Sequence, residues 1–178
     1  MNRHGINERE PVPARRRVTA GHQQGRVLQQ LHRLPYRVGE TVMVGAIDRE
    51  LDRNHSHASQ VGAERFVLHG GLVPKVNHSC EPNCGIRLNS SGAHDYVARA
   101  PIAAGHEITF DYAMRNYSVE YFAARCRCGS HHCRGRITGW RDLPARRKAD
   151  YDGFVAPYLI EIDDQAHTAP AARRDHRR

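Results

Sequence analysis

The run Cys126-Arg127-Cys128-Gly129-Ser130-His131-His132-Cys133 places three thiols within eight residues. They can face one point only if the backbone turns tightly between them, and Gly129 permits such a turn. A structural zinc takes four ligands in a tetrahedron, with thiolate sulfurs about 2.3 Å from the metal. The run therefore needs a fourth ligand from elsewhere. Cys80 and Cys84 offer thiols, and the adjacent His131 and His132 offer imidazoles. Ordinary reduced cysteines filling a core is the weaker account, because the segment has too little apolar content to fix itself without a metal. The five cysteines are an odd number. With no apolar stretch among the polar first twenty residues to act as a secretory signal, a disulfide framework is not expected.

The 178 residues suffice for one domain with a normal core. At 39% hydrophobic and 26% charged the chain reads as globular. No stretch approaches the roughly 20 apolar residues of a membrane span, so no membrane partner is expected. The expected compartment is the cytoplasm, or the nucleus in a eukaryotic host. The net charge is +8, and residues 1–40 hold eight Arg against three Glu, so the basicity concentrates near the N-terminus. A basic arm over 1–24 binds nucleic acid in one reading. The favoured reading is a solvated tail, since no helix-turn-helix or RNA-binding pattern follows it.

The pattern along the chain predicts a mainly β fold with short helices. Strands are expected over 40–44, 65–69, 96–100 and 107–112, separated by Gly and Pro turns. Residues 48–60 are polar and loop-like, and 77–83 are dominated by Asn, Ser and Pro and also read as loop. A short helix is expected over 118–125. Asp142 with Pro144 marks a helix start, opening a helical extension over 141–165. The tail 166–178 is rich in Ala, Arg and Asp and is expected to be disordered.

Three elements then occur in order: Asn77-His78-Ser79-Cys80-Glu81-Pro82-Asn83, Glu107-Ile108-Thr109-Phe110-Asp111-Tyr112, and the cysteine run at 126–133. Together they resemble the SET-domain protein-lysine methyltransferases, with their N-H-S-C-x-P-N and E-I-T-F-D-Y signatures and a post-SET zinc motif. The convincing part covers about residues 60–140. The resemblance implies a β-clip-like fold with pseudoknot-like threading, a SET domain over 25–115 and a post-SET zinc segment over 116–140. It implies that Asn77, His78 and Tyr112 lie against S-adenosylmethionine (SAM) and that Tyr112 is the catalytic tyrosine. Phe110 falls where the family carries Phe or Tyr and influences the number of methyls added. Cys80 would join Cys126, Cys128 and Cys133 on zinc, leaving Cys84 spare. Ile137 and Trp140 either cover the cofactor or, for Trp140, belong to the core.

The implied reaction is methyl transfer from SAM to a lysine of a protein substrate, expected to be basic. A catalytically silent scaffold that binds protein or nucleic acid is the alternative. Its motive is the N-terminal cofactor segment, where Gly25-Arg26-Val27-Leu28 and Gly39-Glu40 stand in place of the family's Gly-x-Gly element and later Gly-Glu turn. An aromatic just before the first signature is also replaced, by Pro74-Lys75-Val76.

Overall fold

The computed structural model describes residues 35–55, 57–119 and 125–168. Within them, eight short strands form three small sheets. In the first, β6 (Cys84–Leu88) and β7 (His94–Ala98) make an antiparallel hairpin, and β1 (Thr41–Met43) adds to the far edge of β7. Asn89 shapes the hairpin turn: its Oδ1 accepts from the Ser91 and Ala93 N–H groups at 3.0 and 3.1 Å. Gly92 supplies the positive φ of 77° that the turn needs. In the second sheet β4 (Phe66–His69) lies between β2 (Ile47–Leu51) and β3 (Ser59–Gln60), antiparallel to both. The third is a single parallel pair, β5 (Asn77–His78) with β8 (Thr109–Phe110).

The expected strands at 40–44, 65–69 and 107–112 each contain a shorter observed one, and the one at 96–100 overlaps β7, which starts two residues earlier. Two expectations are corrected. Residues 48–60 are not all loop, because β2 and β3 both pair with β4 there. The first two residues of the 77–83 loop form β5, held by β8 rather than by a local pattern. The expected helix over 118–125 falls mostly outside the described residues, as does the N-terminal arm. Ser118 and Val119 are not helical, and Arg125 forms a β-bridge with Arg136.

After Pro144 come two helices, α1 (Ala145–Asp150) and α2 (Pro157–Thr168). The second runs to Thr168, so residues 166–168, expected to be disordered, are helical. Nor do these helices hang on the domain as an appendage. Trp140, Leu143, Tyr151, Val155, Ala156, Tyr158 and Leu159 share one core with Ile86, Tyr96, Ile102, Phe110 and Met114. Burying a side chain such as Leu159 stabilises the fold by about 2 kcal/mol. Trp140 thus belongs to the core, whereas Ile137 lines the cleft described below. The join to β6 is close. The Ile86 N–H donates to the Phe154 carbonyl at 2.8 Å, and a Cβ on Gly85 would collide with the Phe154 side chain.

Candidate functional site

The parallel pairing of β5 and β8 brings the two signatures side by side, with Asn77 opposite Thr109 and His78 opposite Phe110. Ser79 N–H donates to the Phe110 carbonyl at 3.0 Å. Two residues cannot hold a parallel ladder alone, and Asn83 supplies the rest. Its Nδ2 donates to the Glu107 carbonyl at 2.8 Å and its Oδ1 accepts from Thr109 N–H at 2.9 Å. Asn83 therefore acts as a side-chain strand beside β8. Asn77 is oriented in turn by Glu107, with Nδ2 to Oε1 at 2.6 Å.

His78 Nδ1 accepts from the Tyr112 N–H at 3.2 Å. The ring proton is then on Nε2, which faces Cys80 Sγ at 3.4 Å. Burial holds the imidazole down to about 4; the nearby Asp111 carboxylate pulls upward and Arg134 downward. His78 is accordingly neutral at physiological pH, a link between the tyrosine and the cysteine cluster. Tyr112 opens a single 3-10 turn, Tyr112–Met114, capped by Asp111, whose side chain accepts from Ala113 N–H at 3.1 Å. The Tyr112 hydroxyl reaches the Val76 carbonyl at 3.4 Å. Burial raises its phenol, and Arg115 pulls the other way.

These groups line a cleft of about 250 Å³. Asn77, His78, Ser79, Glu107, Thr109 and Tyr112 form one wall, and the opposite wall comes from 125–128 with Ile137. Phe110 is not open to it. Its ring is wholly buried, with its centroid 4.8 Å from that of Tyr96 and 5.0 Å from that of Tyr112.

Cys80, Cys126, Cys128 and Cys133 come together with all their sulfurs within 4.8 Å of one another. Cys80 and Cys126 are 3.7 Å apart. Sulfurs at the corners of a zinc tetrahedron are separated by about 3.8 Å for the usual bond length, so the donor set fits that ion. Gly129 takes φ 76°, the turn the motif requires. Backbone N–H groups point at the sulfurs: Arg134 at Cys80 at 3.5 Å and Gly135 at Cys133 at 3.4 Å. Cys84 stands apart, fully buried, its thiol pushed up to about 12 by burial alone. His132 is also elsewhere, its Nδ1 2.5 Å from Glu81 Oε1 on the exposed surface.

The sequence signal did not reveal the polar hub behind the site. Asp111 is completely buried. It takes both arms of Arg134, at 2.6 and 3.0 Å, and the Tyr151 hydroxyl at 2.8 Å. One carboxylate thus joins β8, the cysteine segment and the C-terminal region. Such bidentate, charge-assisted bonds are among the stronger ones available.

The model of the SET domain matches residues 9–113. Among curated proteins, the histone-lysine N-methyltransferase ASHH2 of Arabidopsis thaliana is 41% identical over 75 residues, covering 39% of this chain and 4% of its own length. Histone-lysine N-methyltransferase ATX2 of the same plant is 32% identical over 126 residues, 59% of this chain and 11% of its own. The chain therefore spans only a small part of these relatives. Among solved structures, KRYPTONITE in complex with mCHG DNA and SAH aligns with a TM-score of 0.46 and 24% identity, over 59% of this chain and 25% of that one. The methyltransferase domain of human SETMAR aligns with a TM-score of 0.42 and 18% identity, over 60% and 52%. The family match spans more than half of the chain and includes both signatures that β5 and β8 bring together: this chain belongs to the SET-domain family.

Proposed function

We propose that the chain is a SAM-dependent methyltransferase acting on lysine side chains of a protein substrate. The observation that carries this reading is the parallel β5–β8 pair, which puts Asn77, His78 and Tyr112 on one cleft wall opposite the cysteine segment. When bound, SAM supplies an electrophilic methyl on a sulfonium. The residues here have the work of positioning and of excluding water. Asn77, fixed by Glu107, and His78, fixed by the Tyr112 N–H, hold the cofactor side. Tyr112 would orient the acceptor nitrogen so that its lone pair points at the methyl that bound SAM would supply. Phe110 supports Tyr112 from behind, its ring centroid 5.0 Å from that of the tyrosine. Cys80, Cys126, Cys128 and Cys133 hold a structural zinc that fixes the far wall. Four thiolates leave no open position for water, so the metal has no catalytic part.

The substrate in this reading is a basic protein. The curated relatives are named histone-lysine N-methyltransferases, which makes histones the first substrates to try. The place of action is the cytoplasm, or the nucleus in a eukaryotic host. Among the described residues, no helix is long and apolar enough to cross a membrane.

Mass spectrometry of core histones incubated with zinc-replete protein and SAM tests the reading. Methyl gain on lysine is expected, and Tyr112→Phe should lower its rate by roughly 100-fold, as for loss of a positioned catalytic group. Equal methylation by both proteins would remove Tyr112 from the site. No gain with either, across several basic proteins, leaves the silent scaffold as the better account.

A further inference from the structure

Arg115 follows directly on the turn that carries Tyr112, and it is only 8% exposed. Its guanidinium carbon lies 4.9 Å from the Phe110 ring centroid and 5.7 Å from that of Tyr112. Nη1 donates to the Tyr96 hydroxyl at 3.3 Å, and Nε is buried without a hydrogen-bond partner. Among the described residues, no carboxylate pairs with it. The buried carboxylate nearby in sequence, Asp111, is occupied by Arg134 and Tyr151 and faces His78. A buried arginine is ordinarily paired, and this one is held by π faces and a phenol instead.

The groups around it leave that charge uncancelled. From β7 come Tyr96 and His94, from β4 His69, from α2 Tyr158, and from its own turn Tyr112. Burial keeps both imidazoles neutral, holding His69 down to about 4 and His94 well below its usual value, and Arg115 adds to both effects. Burial likewise keeps the three phenols protonated. Among the described residues, none of these groups is negative at neutral pH. Cation–π contact stabilises a guanidinium without neutralising it.

We propose that Arg115 sets the charge state of the lysine that approaches Tyr112, its unpaired cation disfavouring the ammonium so that the acceptor sits at the site as the neutral amine. The inference rests on the functional reading above. The physical reason is that two cations in one desolvated place repel, and the one that can shed a proton does so. An arginine does not, so the lysine yields, as amines beside a second cation do elsewhere. Arg115 acts through its field and touches no reacting atom, so it is a tuning residue rather than a catalytic one.

The test is the pH dependence of kcat for methylation of core histones by the full, zinc-replete chain, since kcat reports groups in the bound complex. Arg115→Met keeps length and apolar contact but loses the charge. Its acid-side inflection is expected to rise by about one pH unit, with Arg115→Lys staying near the parent. Superimposable profiles for the parent and the Met variant would overturn the inference. If Arg115→Met does not fold, judged by circular dichroism and zinc content, Arg115→Gln is used with the same expectation. A folded parent that transfers no methyl sinks the functional reading and not the field effect. In that case 13C NMR of the Tyr112 ring decides: ionisation at higher pH in the neutral variant supports the inference, and ionisation at the parent's pH overturns it.

Discussion

The two walls of the cleft are built by opposite means. The β5–β8 wall is a backbone ladder, braced by Asn83 and backed by Phe110, Tyr96 and Met114 in the core. The facing segment from Arg125 to Ile137 buries almost nothing apolar beyond Cys126; Arg125, Arg127, His131 and Arg136 are all exposed. The first wall is held by packing and folds with the domain. The second is held by sulfur, and burial of its thiols works against the thiolate form unless a cation is present. Cys126, for example, is pushed well above its usual value, chiefly by burial. Several contacts tie the walls together, among them the Arg134 N–H to Cys80 Sγ, His132 to Glu81 and Arg134 to Asp111. A cleft of this kind has one half that survives without metal and one half that does not.

The largest expected effect separates the halves outright. Removing the metal by chelation should abolish methyl transfer and release the amides of 125–137 to rapid hydrogen exchange, while β4, β6 and β7 keep their protection. Structural zinc contributes on the order of 10 kcal/mol to segments of this type. Loss of protection throughout the chain would show that the walls are not separable. Cys80→Ser should reduce bound zinc, and Cys84→Ser should leave it at one ion per chain. The opposite pattern would move the fourth ligand to Cys84.

A smaller effect is expected where the walls meet. Asp111→Asn strips the charge from a carboxylate with no exposure and leaves Arg134, 15% exposed, without its partner. Breaking a buried pair in this way costs about 3 kcal/mol, read as a shift of the urea midpoint. An unshifted midpoint would mean that the tie carries no stability and that each wall stands alone.

The smallest effect belongs to the packed half alone. His69 and His94 stack with centroids 5.0 Å apart, and the His94 N–H donates to His69 Nε2 at 3.1 Å. With His69 held at about 4 in the fold against 6.5 unfolded, the unfolded chain takes up a proton first as pH falls. Stability is therefore full above about pH 6.5 and declines towards pH 4, by on the order of 1 to 2 kcal/mol for this residue at pH 5. His69→Gln, which keeps an acceptor for the His94 N–H, should reduce that slope. An unchanged slope would assign the loss to His94 or His78.

Much of the site was legible in the sequence, because it is carried by short runs whose chemistry is local. The signature residues at 77–83 and 107–112 meet as expected, and the cysteines converge around Gly129. What escaped was long-range. β2 shows charged residues at its exposed centre, Asp48, Arg49 and Glu50, so no alternation marks it, and only pairing with β4 makes it a strand. β6 begins Cys-Gly, which reads as a break, yet Gly85 is required there by the approach of Phe154. Asp111 meets Arg134 and Tyr151 from 23 and 40 positions away, and Arg115 looks like any surface arginine until its burial is seen. Neither separation leaves a periodic trace.

The Tyr158 hydroxyl lies among the carbonyls of Gln60 and Arg115 and the ring of His94, joining α2 to β3, β7 and the turn after Tyr112. Its partners lie up to 98 positions earlier. During synthesis the strands and both signatures leave the ribosome well before this residue does. They must wait with a buried His94, the Gln60 carbonyl and much of one core face still wet. The domain therefore closes late, as non-local topologies do, with this face of its core completed only once α2 has emerged.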